Sequence, residues 1–162
     1  MYNLAFRLII PSMASLTEEQ IKEIAEMLDC GFRSYWHKHT GELLFILNNE
    51  DYTDFDEDLK DEDLEKLNNN PDDYFEIDKP DSNDSFKIME NFAYQLEGND
   101  ELKSELFKAL NKRKPFREFK WVIDNSGDYR QKWFDFKNAE LKQWVVDNFK
   151  AVTNDNTEEE IE

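Results

Sequence analysis

The spacing Asp54-x-Asp56-x-Asp58, followed by Glu62 and Glu65, places carboxylates at positions 1, 3, 5, 9 and 12 of a calcium loop. Position six of that frame is Leu59, where the loop's sharp turn calls for glycine. In a stretch this acidic such spacing arises easily by chance, so the segment reads as a solvated acidic face and not as a metal site. His37 and His39 lie two apart on an expected strand, which puts both rings on one face. With no third ligand at a recognised spacing they make no zinc motif. Cys30 falls at the C-terminal end of an expected helix. The negative end of the helix dipole there disfavours a thiolate, so a small buried apolar residue is expected instead of a nucleophile. There is no phosphate-binding glycine loop, no G-x-S-x-G and no H-E-x-x-H. Carboxylates are too numerous for any pair to stand out as acid and base. The expectation is a non-enzymatic protein with no catalytic residue, cofactor or metal.

One constellation runs against the rest of the chain. Lys108, Lys112, Arg113, Lys114, Arg117 and Lys120 stand against Glu118 alone, with Phe116, Phe119 and Trp121 between them. Basic residues interleaved with aromatics suit a phosphate, a nucleic acid or an acidic partner. The same cations also suit helix C-termini and the chain's own carboxylates. Lys112, Arg113, Lys114, Arg117 and Lys120 are therefore the candidate partner-binding residues.

These residues must be positioned by elements that the pattern predicts. Thr17 to Cys30 reads as a helix: Thr17 with Gln20 forms a capping box, and Ile21, Ile24, Ala25 and Leu28 make one apolar face. Gly31 ends it. Phe32 to Asn48 reads as a β-hairpin turning at His39-Thr40-Gly41-Glu42. A short helix over Asp61 to Leu67 is expected to bury Leu64 and Leu67, and Tyr74 to Ile77 to form a third strand. From Ser85 onward the chain reads as helical. Phe86, Met89, Phe92, Ala93 and Leu96 make one face; Leu102, Leu106, Ala109 and Leu110 make the next. Pro115 opens a third helix with Phe116, Phe119 and Ile123 inward. A last helix over Asp128 to Phe149 turns Tyr129, Trp133, Phe136, Trp144 and Val145 to the core. The fold class is α+β: a small antiparallel sheet packed with five or six helices, the C-terminal half all helical.

A length of 162 residues fits one domain, with 13 Phe, 6 Tyr and 4 Trp to fill its core. We read 15–150 as that domain, 151–162 as an acidic disordered tail, and 1–14 as either a leader or an extra strand carrying Leu4, Phe6, Leu8 and Ile10. One cysteine excludes a disulfide framework. Leu8 to Ile10 is too short for a signal sequence, and no run approaches the ~20 residues of a membrane span, so a cytoplasmic location is expected. A formal net charge of −18 argues against generic binding to nucleic acid or anionic membrane. The stretch Asn48 to Asp84 alone holds 16 Asp and Glu against three Lys.

The block Lys112-Arg113-Lys114-Pro115-Phe116-Arg117-Glu118-Phe119-Lys120, then Tyr129-Arg130-Gln131-Lys132-Trp133-Phe134-Asp135-Phe136-Lys137, resembles the signature of a UPF-type uncharacterised bacterial protein family. Pro71, Tyr74, Ile77, the run from Ser85 to Phe92 and the run from Leu28 to Phe32 are similar to its preceding parts. The resemblance covers about residues 17–149. It implies one bacterial domain and supplies no catalytic residue. The functional expectation is a small acidic bacterial protein that binds a protein partner, one with a basic surface suiting the acidic stretch. The alternative is a nucleic-acid-associated factor using the basic–aromatic island at 108–121.

Overall fold

The computed structural model describes residues 15–47 and 62–158. The expected leader or strand at 1–14 and the carboxylates Asp54, Asp56 and Asp58 lie outside the described residues. Helix α1 spans Glu18–Asp29. Its start is fixed locally: the Thr17 hydroxyl accepts the Gln20 amide N–H at 3.2 Å, and the Gln20 side chain accepts the Thr17 N–H at 3.1 Å. Gln20 also donates to the Gly41 carbonyl at 2.8 Å, so one capping residue ties the helix to the hairpin turn. Gly41 adopts φ +73° in that turn, a region closed to most side chains.

Strands β1 (Phe32–His37) and β2 (Leu43–Leu47) form the expected hairpin. Strand β3 (Tyr74–Ile77) pairs with the other edge of β1, giving the antiparallel order β2-β1-β3. Alternation along β1 divides the sheet. Trp36 turns to the face under α1 with Phe75 and Ile77, whereas Tyr35 shares the opposite face with Leu44 and Ile46. Helix α2 (Glu62–Asn69) lies against that second face. Leu67 packs there, but Leu64 is 39% exposed, contrary to expectation. The patch is small enough for Leu67 and Tyr74 to close, and α2 is docked through polar contacts. Asp63 accepts the Phe45 N–H at 3.0 Å and Lys66 pairs with Glu42 at 2.6 Å.

The C-terminal half is helical: α3 (Ser82–Gln95), α4 (Asp100–Leu110), α5 (Pro115–Asp124) and α6 (Tyr129–Glu158). Asp81 and Asn99 cap α3 and α4 through their side-chain oxygens, and Pro115 occupies the first turn of α5. Their apolar faces make a second core of Met89, Phe92, Leu106, Phe119 and Ile123. Phe116, expected inward, is 44% exposed, whereas Phe119 is 1% exposed. The first turn of α5 reaches past the core, and the residue one turn on fills it. Cys30, expected buried, is exposed because it is the C-cap of α1, beyond Leu28, the last buried residue.

Helix α6 joins the two cores. Trp133 and Phe136 pack on the helical core; Leu141, Val145 and Phe149 pack on the α1–sheet core. It continues past Phe149 to Glu158, into the stretch read from sequence as a tail, and Val152 still packs on the first core.

Candidate functional site

The basic island runs from the end of α4 along α5, and three of its six cations, Lys112, Arg117 and Lys120, are engaged within the chain. Arg117 and Lys112 both bind Glu118, with nitrogen–oxygen distances of 2.7 and 2.9 Å. Lys120 binds Asp124 at 2.5 Å, and Arg130 of α6 binds the same carboxylate at 3.2 Å. Hydrogen bonds from Arg117, then Lys112, hold the Glu118 carboxyl below its ordinary range. Those from Lys120, then Arg130, do the same for Asp124. The Asp81 carboxyl is also depressed, chiefly by the Asp84 backbone N–H it caps. These are shifts of ion pairs and caps, opposite in direction to the raised carboxyl a general acid needs. Arg113 and Lys114 are exposed and have no ion-pair partner among the described residues. Trp121, one turn after Arg117, is 68% exposed.

Beside this helix the two cores part. A cleft of about 750 Å³ opens between the end of α1, the β3–α3 connection, α5 and α6. Its floor is apolar and draws on both cores: Leu28 and Leu141 from one, Met89, Phe119 and Ile123 from the other. Phe116 and Phe134 stand on its walls, half exposed. Lys120 with Asp124 and Lys137 with Asp29 form ion pairs at the rim, where Lys79 and Asp81 complete the charged set. The guanidinium of Arg130 lies 4.7 Å from the centre of the Phe134 ring, fixing that side chain at the mouth.

Of the candidate binding residues, the cleft takes in Lys120. Lys112, Arg113, Lys114 and Arg117 do not line it. Phe134, Lys79 and Leu141 were not singled out from sequence as site or core residues. A signal was present for Phe134: it falls off the Tyr129–Trp133–Phe136 stripe, an aromatic residue the core does not use. His37 and His39 serve the hairpin. Nδ1 of His37 accepts the backbone N–H groups of His39 and Thr40, both at 3.2 Å. Among the described residues no cluster of three or more His, Cys, Asp or Glu side chains is placed to hold a metal ion. None of their helices is long and apolar enough to cross a membrane.

Fold and cleft together define an α+β protein with a three-stranded antiparallel sheet, an all-helical C-terminal half and an open apolar trough between its cores. The chain belongs to the uncharacterised protein family UPF0158, whose sequence pattern matches residues 13–160. It is similar to UPF0158 protein PA5073 of Pseudomonas aeruginosa, 28% identical over 129 residues that cover 78% of each chain. No solved structure matches it.

Proposed function

We propose that this chain is a non-catalytic, cytoplasmic binding module that takes a segment of a protein partner in the cleft between its two cores. The observation that carries the reading is the cleft itself: about 750 Å³ with a floor from both cores and two half-exposed phenylalanines at its walls. Exposed aromatic side chains around an apolar depression are the usual anchors of protein interfaces. The reading takes 15–150 as the body of the folded domain, with α6 running on past it and Val152 packed back on the first core. A nucleic-acid-associated role is the second reading, favoured by exposed Trp121 beside Arg117. It is weakened because Lys112, Arg117 and Lys120 are already bound to the chain's own carboxylates, and because the −18 net charge repels a polyanion.

The test is capture from a bacterial lysate with the tagged full chain, with and without nuclease. A partner retained after nuclease, lost with Phe116→Ser/Phe134→Ser and kept with the remote exposed-aromatic control Tyr94→Ser, supports the cleft. Capture that ignores the cleft variant overturns it, and capture abolished by nuclease moves the second reading to first place.

A further inference from the structure

We infer that the hairpin turn is a proton-operated latch: a proton gained at Nδ1 of His37 releases the two backbone N–H groups that this nitrogen holds and loosens the tie between the turn and α1. The inference is independent of the cleft reading. Nδ1 of His37 accepts from the N–H of His39 and from that of Thr40, both at 3.2 Å. A ring nitrogen that accepts carries no proton, so the folded turn requires a neutral imidazole with its hydrogen on Nε2. Aspartate and asparagine commonly fill such a place in a turn, a side-chain oxygen accepting from the backbone two residues on. Their oxygens accept at neutral and mildly acidic pH alike. Imidazole does not, because it takes up a proton between about pH 8 and 5 and then has only donors to offer.

The groups around the ring leave the proton room to arrive. Tyr74 pairs with His37 across β3 and β1, its ring edge-on at 4.8 Å. Burial, then the charge of Glu42, pushes the Tyr74 phenol up, so it stays uncharged over this range. His39, its ring 5.9 Å away, is the second imidazole. Lys38 is turned off to the Asp72 carbonyl at 2.5 Å and the Phe75 ring. From α2, Lys66 is bound to Glu42 at 2.6 Å and Asp63 to the Phe45 N–H. Asp73 adds a third carboxylate acting on Tyr74. From α1 comes the neutral Gln20. The consequence reaches that helix. Gly41 donates its N–H to the His37 carbonyl at 2.9 Å, and its own carbonyl accepts the Gln20 side chain at 2.8 Å. The same Gln20 side chain accepts the Thr17 N–H in the capping box. When the His39 and Thr40 N–H groups turn to water, the Gly41 carbonyl, next in the chain, loses its fixed position, and the Gln20 tie goes with it. Both bonds to Nδ1 are exposed, so the change is a local opening and not global unfolding.

The experiment is nitrogen-15 NMR on the full chain between about pH 8 and 5. It reads the His37 ring nitrogens and the exchange with water of the His39 and Thr40 amides, corrected for the intrinsic effect of pH. At the upper end the ring is expected as the Nε2–H tautomer. As the ring gains its proton, protection of both amides should fall about fivefold, the size of one net hydrogen bond, and the Gln20 side-chain amide should shift in step. In His37→Asn, whose oxygen accepts throughout this range, protection should hold; His39→Asn should keep the wild-type response. An Nδ1–H tautomer at the upper end, or protection that does not change as His37 protonates, overturns the inference. So does a response that survives in His37→Asn or vanishes in His39→Asn. A Gln20 amide that stays put while both backbone amides open overturns the coupling to α1. The wild-type tautomer and exchange readings decide the matter even where the asparagine variant does not fold.

Discussion

The indole N–H of Trp144 donates to the backbone carbonyl of Asp78 at 2.7 Å, joining residues 66 apart in the chain. This bond fixes the middle of α6 to the end of β3, directly before Lys79, Pro80 and Asp81, the lip of the cleft. It holds the β3–α3 connection against the one helix that spans both cores.

Trp144→Phe removes this bond while keeping most of the ring's packing. A net hydrogen bond is worth about 1 kcal/mol, so the expected loss by urea denaturation is of that size. Faster amide exchange should be confined to the Asp78–Asp81 connection. A loss of several kcal/mol, or exchange spread evenly over the chain, would show that the ring acts as core and not as a tether.

Phe119 and Phe116 stand three residues apart in the same block and give opposite results. Phe119→Ala empties a fully buried site beside Phe92 and Trp133 and should cost about 3–5 kcal/mol. Phe116→Ala, half exposed, should cost under about 1.5 kcal/mol. Equal costs in chemical denaturation would contradict this placement.

The Glu118 carboxyl is held below its ordinary value by Arg117 and Lys112. A carboxyl depressed in the folded state stabilises above its unfolded value, near 4.5, and loses that contribution as pH falls through the folded value. Wild type should therefore melt above Glu118→Gln at pH 7, the gap closing as pH is lowered below about 4.5. A gap that is constant from pH 7 to pH 3 in melting curves refutes the linkage. Because the pair is exposed, the gap itself should be small.

Self-repulsion dominates the salt response. With net charge −18, screening should relieve more repulsion than it costs in surface ion pairs, each worth about 0–1 kcal/mol. The melting temperature should rise between low salt and about 0.3 M NaCl, where the screening length is well below ~10 Å. A flat or falling profile by scanning calorimetry would mean that the acids are already compensated.

Calcium should do little. The frame from Asp54 has leucine, Leu59, where the loop requires glycine. Millimolar calcium is expected to leave the melting temperature unchanged and give no saturable heat. A titratable signal abolished by Asp56→Ala would reverse that reading.

What the sequence by itself determined was local. The Thr17–Gln20 box, Asn99 before α4 and Pro115 at the start of α5 specify helix starts through groups three or four residues apart. Alternation in β1 and the turn at Gly41 specify the hairpin in the same way. The structure decided whatever depended on neighbours distant in the chain. Periodicity puts Phe116 and Phe119 on one face of α5, but only packing against α3, α4 and α6 says that the core stops between them. Phe149 and Val152 lie on the first core, so α6 runs past the point where its local pattern fades. Along the chain the island reads either as a binding patch or as a complement to the chain's own carboxylates. Folding brings Arg130 to Asp124 and folds Lys112 back on Glu118, so which cations remain available is a property of the assembled helices. The cleft belongs wholly to that level. Its floor comes from α1, α3, α5 and α6, and no local pattern records that two cores, each well packed, meet along one helix with a gap between them.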